Sequence, residues 1–105
     1  MKVYIKSKFI DELVYLSFDF YSNGSMSISG RSLEGEPLFK ATVALEDGVP
    51  RKGYVILKGW SENEGIPEAL EKAGVVKRTG RTIQTGFCIA EEAKLLKQEI
   101  EDENT

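Results

Sequence analysis

The sequence predicts an α+β fold, an antiparallel β-meander sheet of about six strands carrying two helices. Three features of the 105-residue chain point there. Apolar and polar residues alternate through the first half, in runs separated by glycine-containing turns. An apolar run without alternation, Tyr54-Val55-Ile56-Leu57, follows. Beyond it the apolar spacing becomes helical, at Ile66, Leu70 and Ala73 and again at Ala93, Leu96 and Ile100.

Taken in order, Val3-Tyr4-Ile5-Lys6-Ser7-Lys8-Phe9 reads as a first strand. Residues 13–21 form a second, with Val14, Leu16, Phe18 and Phe20 on one face and Tyr15, Ser17, Asp19 and Tyr21 on the other. Ser22-Asn23-Gly24 then turns the chain into Ser25-Met26-Ser27-Ile28-Ser29-Gly30. A two-residue loop would set Phe20 against Ser27, whereas a three-residue loop pairs Phe20 with Met26 and Phe18 with Ile28. Only the latter unites the apolar faces, because a one-residue slip reverses them. A type I turn with a G1 bulge and Gly24 in the left-handed region is therefore expected. By the same test, a two-residue Glu34-Gly35 loop pairs Gly30 with Phe39, Ile28 with Ala41 and Met26 with Val43. Residues 37–45 become a strand whose even positions, Lys40 and Thr42 among them, face outward.

Residues 46–53 read as a loop from their composition. The run from Tyr54 suits a strand covered on both faces. Ser61-Glu62-Asn63-Glu64 matches a capping box; Asn63 competes as N-cap, which leaves Gly65 and Pro67 in the first turns. Gly74 is a suitable helix terminator. Val75-Val76 and residues 82–89 are expected as strands around a Thr79-Gly80 turn. A final helix is expected over residues 90–101, burying Ala93, Leu96 and Ile100. Residues 1–98 then make one domain, with 99–105 a frayed acidic tail.

Composition narrows the chemistry. The net charge is −3 and the pI about 5.0, which argues against a bulk-basic nucleic-acid binder. Cys88 is the lone cysteine and histidine is absent. An intrachain disulfide, zinc sites built on Cys and His, and imidazole-dependent triads are thereby excluded. No apolar stretch approaches the ~18 residues of a membrane span, and the N-terminal alternation lacks a signal-peptide core. A cytoplasmic protein with no membrane partner and no cofactor is expected.

Two groups of residues are candidate sites. Trp60, Glu62, Glu64 and Glu68 flank the strand-to-helix junction, where tryptophan and carboxylates can meet a basic partner or a metal. The plainer account is that Trp60 closes the core edge, Ser61 or Asn63 caps the helix, and the glutamates favour its dipole. General acid–base work by these glutamates would need a cleft and a perturbed pKa, and a metal-dependent enzyme would need Mg²⁺ or Mn²⁺; the sequence signals neither. Lys77, Arg78 and Arg81 surround the expected Thr79-Gly80 turn and could touch phosphates; the alternative is a solvated hairpin. Arg51-Lys52 is a second basic pair. Cys88, between Phe87 and Ile89, reads as a small strand hydrophobe rather than a nucleophile. Tyr4, Tyr15 and Tyr21 lie near the start of the sheet, with Tyr15 and Tyr21 on its less apolar face, which binds a partner or lies beneath the C-terminal helix.

Gly35-Glu36-Pro37 before an apolar strand, Ser61-Glu62-Asn63-Glu64-Gly65, Leu70 to Gly74, and Arg81-Thr82-Ile83-Gln84-Thr85-Gly86-Phe87 together resemble a family of small uncharacterised proteins of phages and conjugative elements. The resemblance spans residues 34–96. Relatives tend to carry an acidic residue and an aromatic before the Ser-Glu-Asn-Glu-Gly block, where this chain has Gly59 and Trp60. The resemblance transfers no catalytic residue. It implies a mobile-element setting and an anti-CRISPR or other anti-defence role. The expected function is a non-enzymatic protein-binding module, possible inhibitor of a host nuclease complex, with a nucleic-acid accessory role through the basic residues as the rival.

Overall fold

The computed structural model describes residues 1–45 and 50–96. Four strands run as an antiparallel meander in chain order: β1 (Lys2–Lys6), β2 (Asp11–Phe20), β3 (Met26–Arg31) and β4 (Pro37–Lys40). A second sheet has the order β5 (Tyr54–Leu57), β7 (Cys88–Leu95), β6 (Val76–Thr85). Between β5 and β6 lie a 3-10 turn (Ser61–Asn63) and a single α-helix, α1 (Ile66–Lys72). The α+β class and antiparallel meander stand; among the described residues there are seven strands in two sheets and one α-helix, where about six strands and two helices were expected.

The first turn forms as its register requires. Phe20 pairs with Met26 and Phe18 with Ile28, and Gly24 has φ of 88°. The second hairpin reaches its expected Gly30–Phe39 pairing by another route. Ser32 N–H donates to the Glu36 carbonyl, so Leu33, Glu34 and Gly35 form the loop, and a bulge then restores the register. The bulge preserves the alignment that places Phe39 over Gly30.

The strand expected over residues 37–45 ends at Lys40 instead. Ala41 N–H still donates to the Ile28 carbonyl, but Val43 N–H donates to Ile56, and Lys58 N–H to Ala41. The chain thus leaves β3 for β5 and joins the two sheets. This crossing buries Thr42, which was expected to face outward. Its hydroxyl oxygen accepts a hydrogen bond from Ile28 N–H at 3.1 Å and meets the Tyr21 hydroxyl at 3.0 Å, so the buried polar atom is satisfied.

The expected helix over residues 90–101 is corrected: through Leu95 this segment is β7, and residues 97–101 lie outside the described ones. Ala-Glu-Glu-Ala-Lys-Leu favours helix locally, but β7 is the central strand and pairs with β5 on one side and β6 on the other. Pairing on both edges overrides a weak intrinsic preference. The expected Thr79-Gly80 hairpin is likewise a bulge inside β6. Arg78 pairs with Ala93 and Thr82 with Glu91, so Thr79, Gly80 and Arg81 oppose Glu92 alone. The hairpin closes instead at Gly86-Phe87, between paired Thr85 and Cys88.

The core joins Ile5, Val14, Leu16, Ile28 and Phe39 of the first sheet to Val55, Leu57, Val76 and Ala93 of the second, with Ile66 and Leu70 of α1. Val55, Ile56 and Leu57 are all buried, as a strand covered on both faces requires. Helix α1 ends where Gly74 suggests. Gly74 N–H donates to Glu71 and Val75 N–H to Leu70, the Schellman pattern. Among the described residues no helix is long and apolar enough to cross a membrane.

A methyl group at Gly30 would fall within the Phe39 ring. Gly30→Ala is therefore expected to lower stability by about 1–3 kcal/mol through overpacking. Urea unfolding checks this; an unchanged midpoint would place the ring elsewhere.

Candidate binding surface

Trp60 is half-buried at the start of the 3-10 turn, in extended conformation. The capping-box expectation fails, because neither Ser61 nor Asn63 caps α1. Gly65 precedes the helix in the left-handed region, with φ of 90° and no side-chain cap. A Cβ there would lie 3.2 Å from the Ser7 backbone, so glycine is required for both conformation and close approach. Asn63 is buried and points inward: its Nδ2 donates to the carbonyls of Lys40 at 2.6 Å and Lys58 at 3.2 Å. Ser61 itself takes a φ of 54°.

Two residues of the Ser-Glu-Asn-Glu-Gly block are thus structural, and they turn the intervening glutamates outward. Glu62 and Glu64 are exposed, and Glu64 carboxylate meets Lys8 at 3.1 Å. Glu68 lies on α1 rather than on the turn, exposed, with its carboxylate 3.9 Å from Arg78. A member of the acidic group is therefore in contact with a member of the basic one.

Arg78 is held most firmly by Glu71 of α1. Its backbone N–H donates to Glu71 Oε2 at 2.9 Å and its Nε to Oε1 at 3.1 Å, while Glu91 of β7 stands at 3.5 Å. The Arg78 backbone N–H, followed by the guanidinium, holds the Glu71 carboxyl below its usual pKa. Burial works against the Arg78 charge, but the Glu71 hydrogen bond and the surrounding carboxylates outweigh it and raise its pKa.

Arg81 and Arg51 converge on another carboxylate. Glu92 is only 3% exposed, and it lies 3.4 Å from Arg81 and 3.1 Å from Arg51. The Thr79 hydroxyl also bonds Glu92 Oε1 at 3.0 Å, which the bulge makes possible. A buried carboxylate needs such partners. The three arginines are consequently drawn to carboxylates of α1 and β7, and Lys77 alone of the expected trio has no ion pair among the described residues.

Sequence reasoning assigned no role to Asn63 beyond capping and none to Glu92. It also left Phe87 without one, although Phe87 stands fully exposed at the β6–β7 apex, at 106% of its reference area. The Gly86-Phe87 step between two strand-like runs was the available signal. Tyr4 and Tyr15 are exposed rather than covered, while Tyr21 is partly buried on Thr42. Cys88 is a free thiol of intermediate exposure. Among the described residues no group of three His, Cys, Asp or Glu side chains is arranged to hold a metal ion. Comparison of the chain with protein-family models, curated proteins and solved structures finds no match.

Glu71 stabilises the fold when charged, so its contribution is complete above the ordinary value of 4.5 and is lost as pH falls through the lowered folded value. Glu71→Gln is expected to cost about 1 kcal/mol at neutral pH, discounted for partial exposure. The variant's urea midpoint should also fall less than the parent's between about pH 5 and pH 3. Parallel acid limbs would remove Glu71 from the account.

Proposed function

We propose that the chain is a non-enzymatic protein-binding module that engages a basic partner through Trp60, Glu62, Glu64 and Glu68. One contrast carries this reading. Arg51, Arg78 and Arg81 each lie against carboxylates of the fold, whereas Glu62 has no ion-pair partner among the described residues and Glu64 has only exposed Lys8. Glu62 thus offers negative charge that no ion pair among the described residues meets, beside a half-buried tryptophan. Such a surface attracts a basic nucleic-acid channel and competes with its substrate. The resemblance to proteins of phages and conjugative elements supports placing the partner among host CRISPR or other defence nuclease complexes.

A nucleic-acid accessory role through Lys77, Arg78 and Arg81 would require phosphate to displace ion pairs at 3.0 Å for Arg78 and 3.4 Å for Arg81. DNA affinity is therefore expected to be weak. Capture from bacterial lysate on the immobilised chain tests the main reading. Glu62→Lys with Glu64→Lys should reduce recovery of the captured partner by at least about tenfold. No partner surviving moderate salt would overturn it. DNA binding with a steep salt slope that flattens in Arg78→Ala, Arg81→Ala would put the accessory role in its place.

A further inference from the structure

We propose that the open edge of β1 is a second docking site, which accepts an acidic, extended segment of a partner protein as an added strand. The register defines the edge. Leu16 N–H donates to the Met1 carbonyl and Ser7 N–H to the Ile10 carbonyl, and the intervening pairs run Lys2–Tyr15 through Lys6–Asp11. In an antiparallel ladder, hydrogen-bonded and non-bonded pairs alternate. Val3 and Ile5 therefore bond to β2, and the backbone groups of Lys2, Tyr4 and Lys6 point away from it.

Lys8 continues that outward row, and its N–H is already met by the Glu64 carbonyl at 3.2 Å. The chain thus closes one end of the edge with its own backbone. Among the described residues, the N–H groups of Lys2, Tyr4 and Lys6 have no such partner.

Beside this edge runs a groove of about 610 Å³, lined by Lys2, Val3, Tyr4 and Lys6 of β1 and by Ala69, Lys72 and Ala73 of α1. The two alanines leave room for a backbone next to β1. Charge selects the occupant. Lys2, Lys6 and Lys72 are exposed and have no carboxylate within ion-pair distance among the described residues, in a chain of net charge −3. The Lys2 ammonium rests over the Tyr15 ring, 5.7 Å from its centre. Asp11 sits opposite Lys6 but on the β2 side, and Glu68 and Glu71 of α1 engage Arg78 on β6.

An added strand would place alternate side chains beside Lys2, Tyr4 and Lys6 and the others over Ala69 and Ala73. Carboxylates in the first set and small apolar residues in the second meet both faces. A second copy of the chain is a poor occupant, because antiparallel β1–β1 pairing sets lysine against lysine.

Fluorescence anisotropy of a labelled nine-residue peptide alternating Glu and Val, with a Lys/Val peptide as comparison, tests the site on the full chain. The acidic peptide should bind at least about tenfold more tightly, and Lys2→Glu with Lys6→Glu should reverse that preference. Tyr4→Pro removes an outward N–H without touching a β1–β2 hydrogen bond, so it should weaken binding at least about tenfold, whereas Tyr4→Ala should change it by less than about threefold. Bound peptide should slow amide exchange at Lys2, Tyr4 and Lys6. Glu62→Lys with Glu64→Lys should leave peptide binding intact, which separates this site from the acidic surface. Equal or absent binding of both peptides, or binding indifferent to the lysine reversal, would overturn the proposal. A dimer in sedimentation that Tyr4→Pro dissolves would overturn it too, by giving the edge to a second copy.

Discussion

Where the chain passes from β3 to β5, two backbone carbonyls, those of Lys40 and Lys58, face the buried amide of Asn63. One belongs to the first sheet and the other follows the second, so a single side chain ties the junction of the two. Among the described residues no donor reaches the amide's Oδ1, and the clasp is made by the Nδ2 protons. Ser61 has a positive φ two residues before Asn63, and Gly65 has another where α1 starts against Ser7. Glu62 and Glu64, on either side of buried Asn63, face solvent.

The charges divide in the same spatial way. On the second sheet, β7 lends Glu91 and Glu92 to arginines from β6 and from the segment before β5, and α1 adds Glu71 across the β6 edge. Arg51, Arg78 and Arg81 are thereby paired on that flank, whereas Lys77 and Lys94, opposite one another on β6 and β7, have no ion pair among the described residues. Among the described residues, the β1 edge keeps lysines without an ion pair and the 3-10 turn keeps Glu62 without one. Lys8 stands between them, bonded to Glu64 through both backbone and side chain.

What could be read from the sequence was what adjacent residues determine. The Ser22-Asn23-Gly24 turn followed from which faces its two strands share, and the buried character of β5 from an apolar run. The exposure of Glu62 and Glu64 was legible as polarity. What failed depended on distant partners. Residues 90–95 carry helix-forming side chains, yet β5 and β6 both require a strand between them. Asn63 matched a local capping pattern, while its actual acceptors lie 23 and 5 residues away in sequence. Gly80 had turn composition, but Glu92 on the neighbouring strand drew Thr79 and Arg81 into a bulge. Among the described residues there are seven strands; β6 joins the expected segments at 75–76 and 82–85, and β7 takes in 88–89 and the part of the expected helix up to Leu95.

The account rests most directly on the Asn63 donors, and Asn63→Asp removes them with little change in shape. The carboxylate would present negative charge to two carbonyl oxygens in a buried site. Urea unfolding at neutral pH should show a loss of about 3 kcal/mol or more, partly recovered at acid pH where a protonated carboxyl can donate once. An unfolding midpoint equal to the parent's at neutral pH would contradict the clasp, and with it the explanation of why Glu62 and Glu64 are displayed.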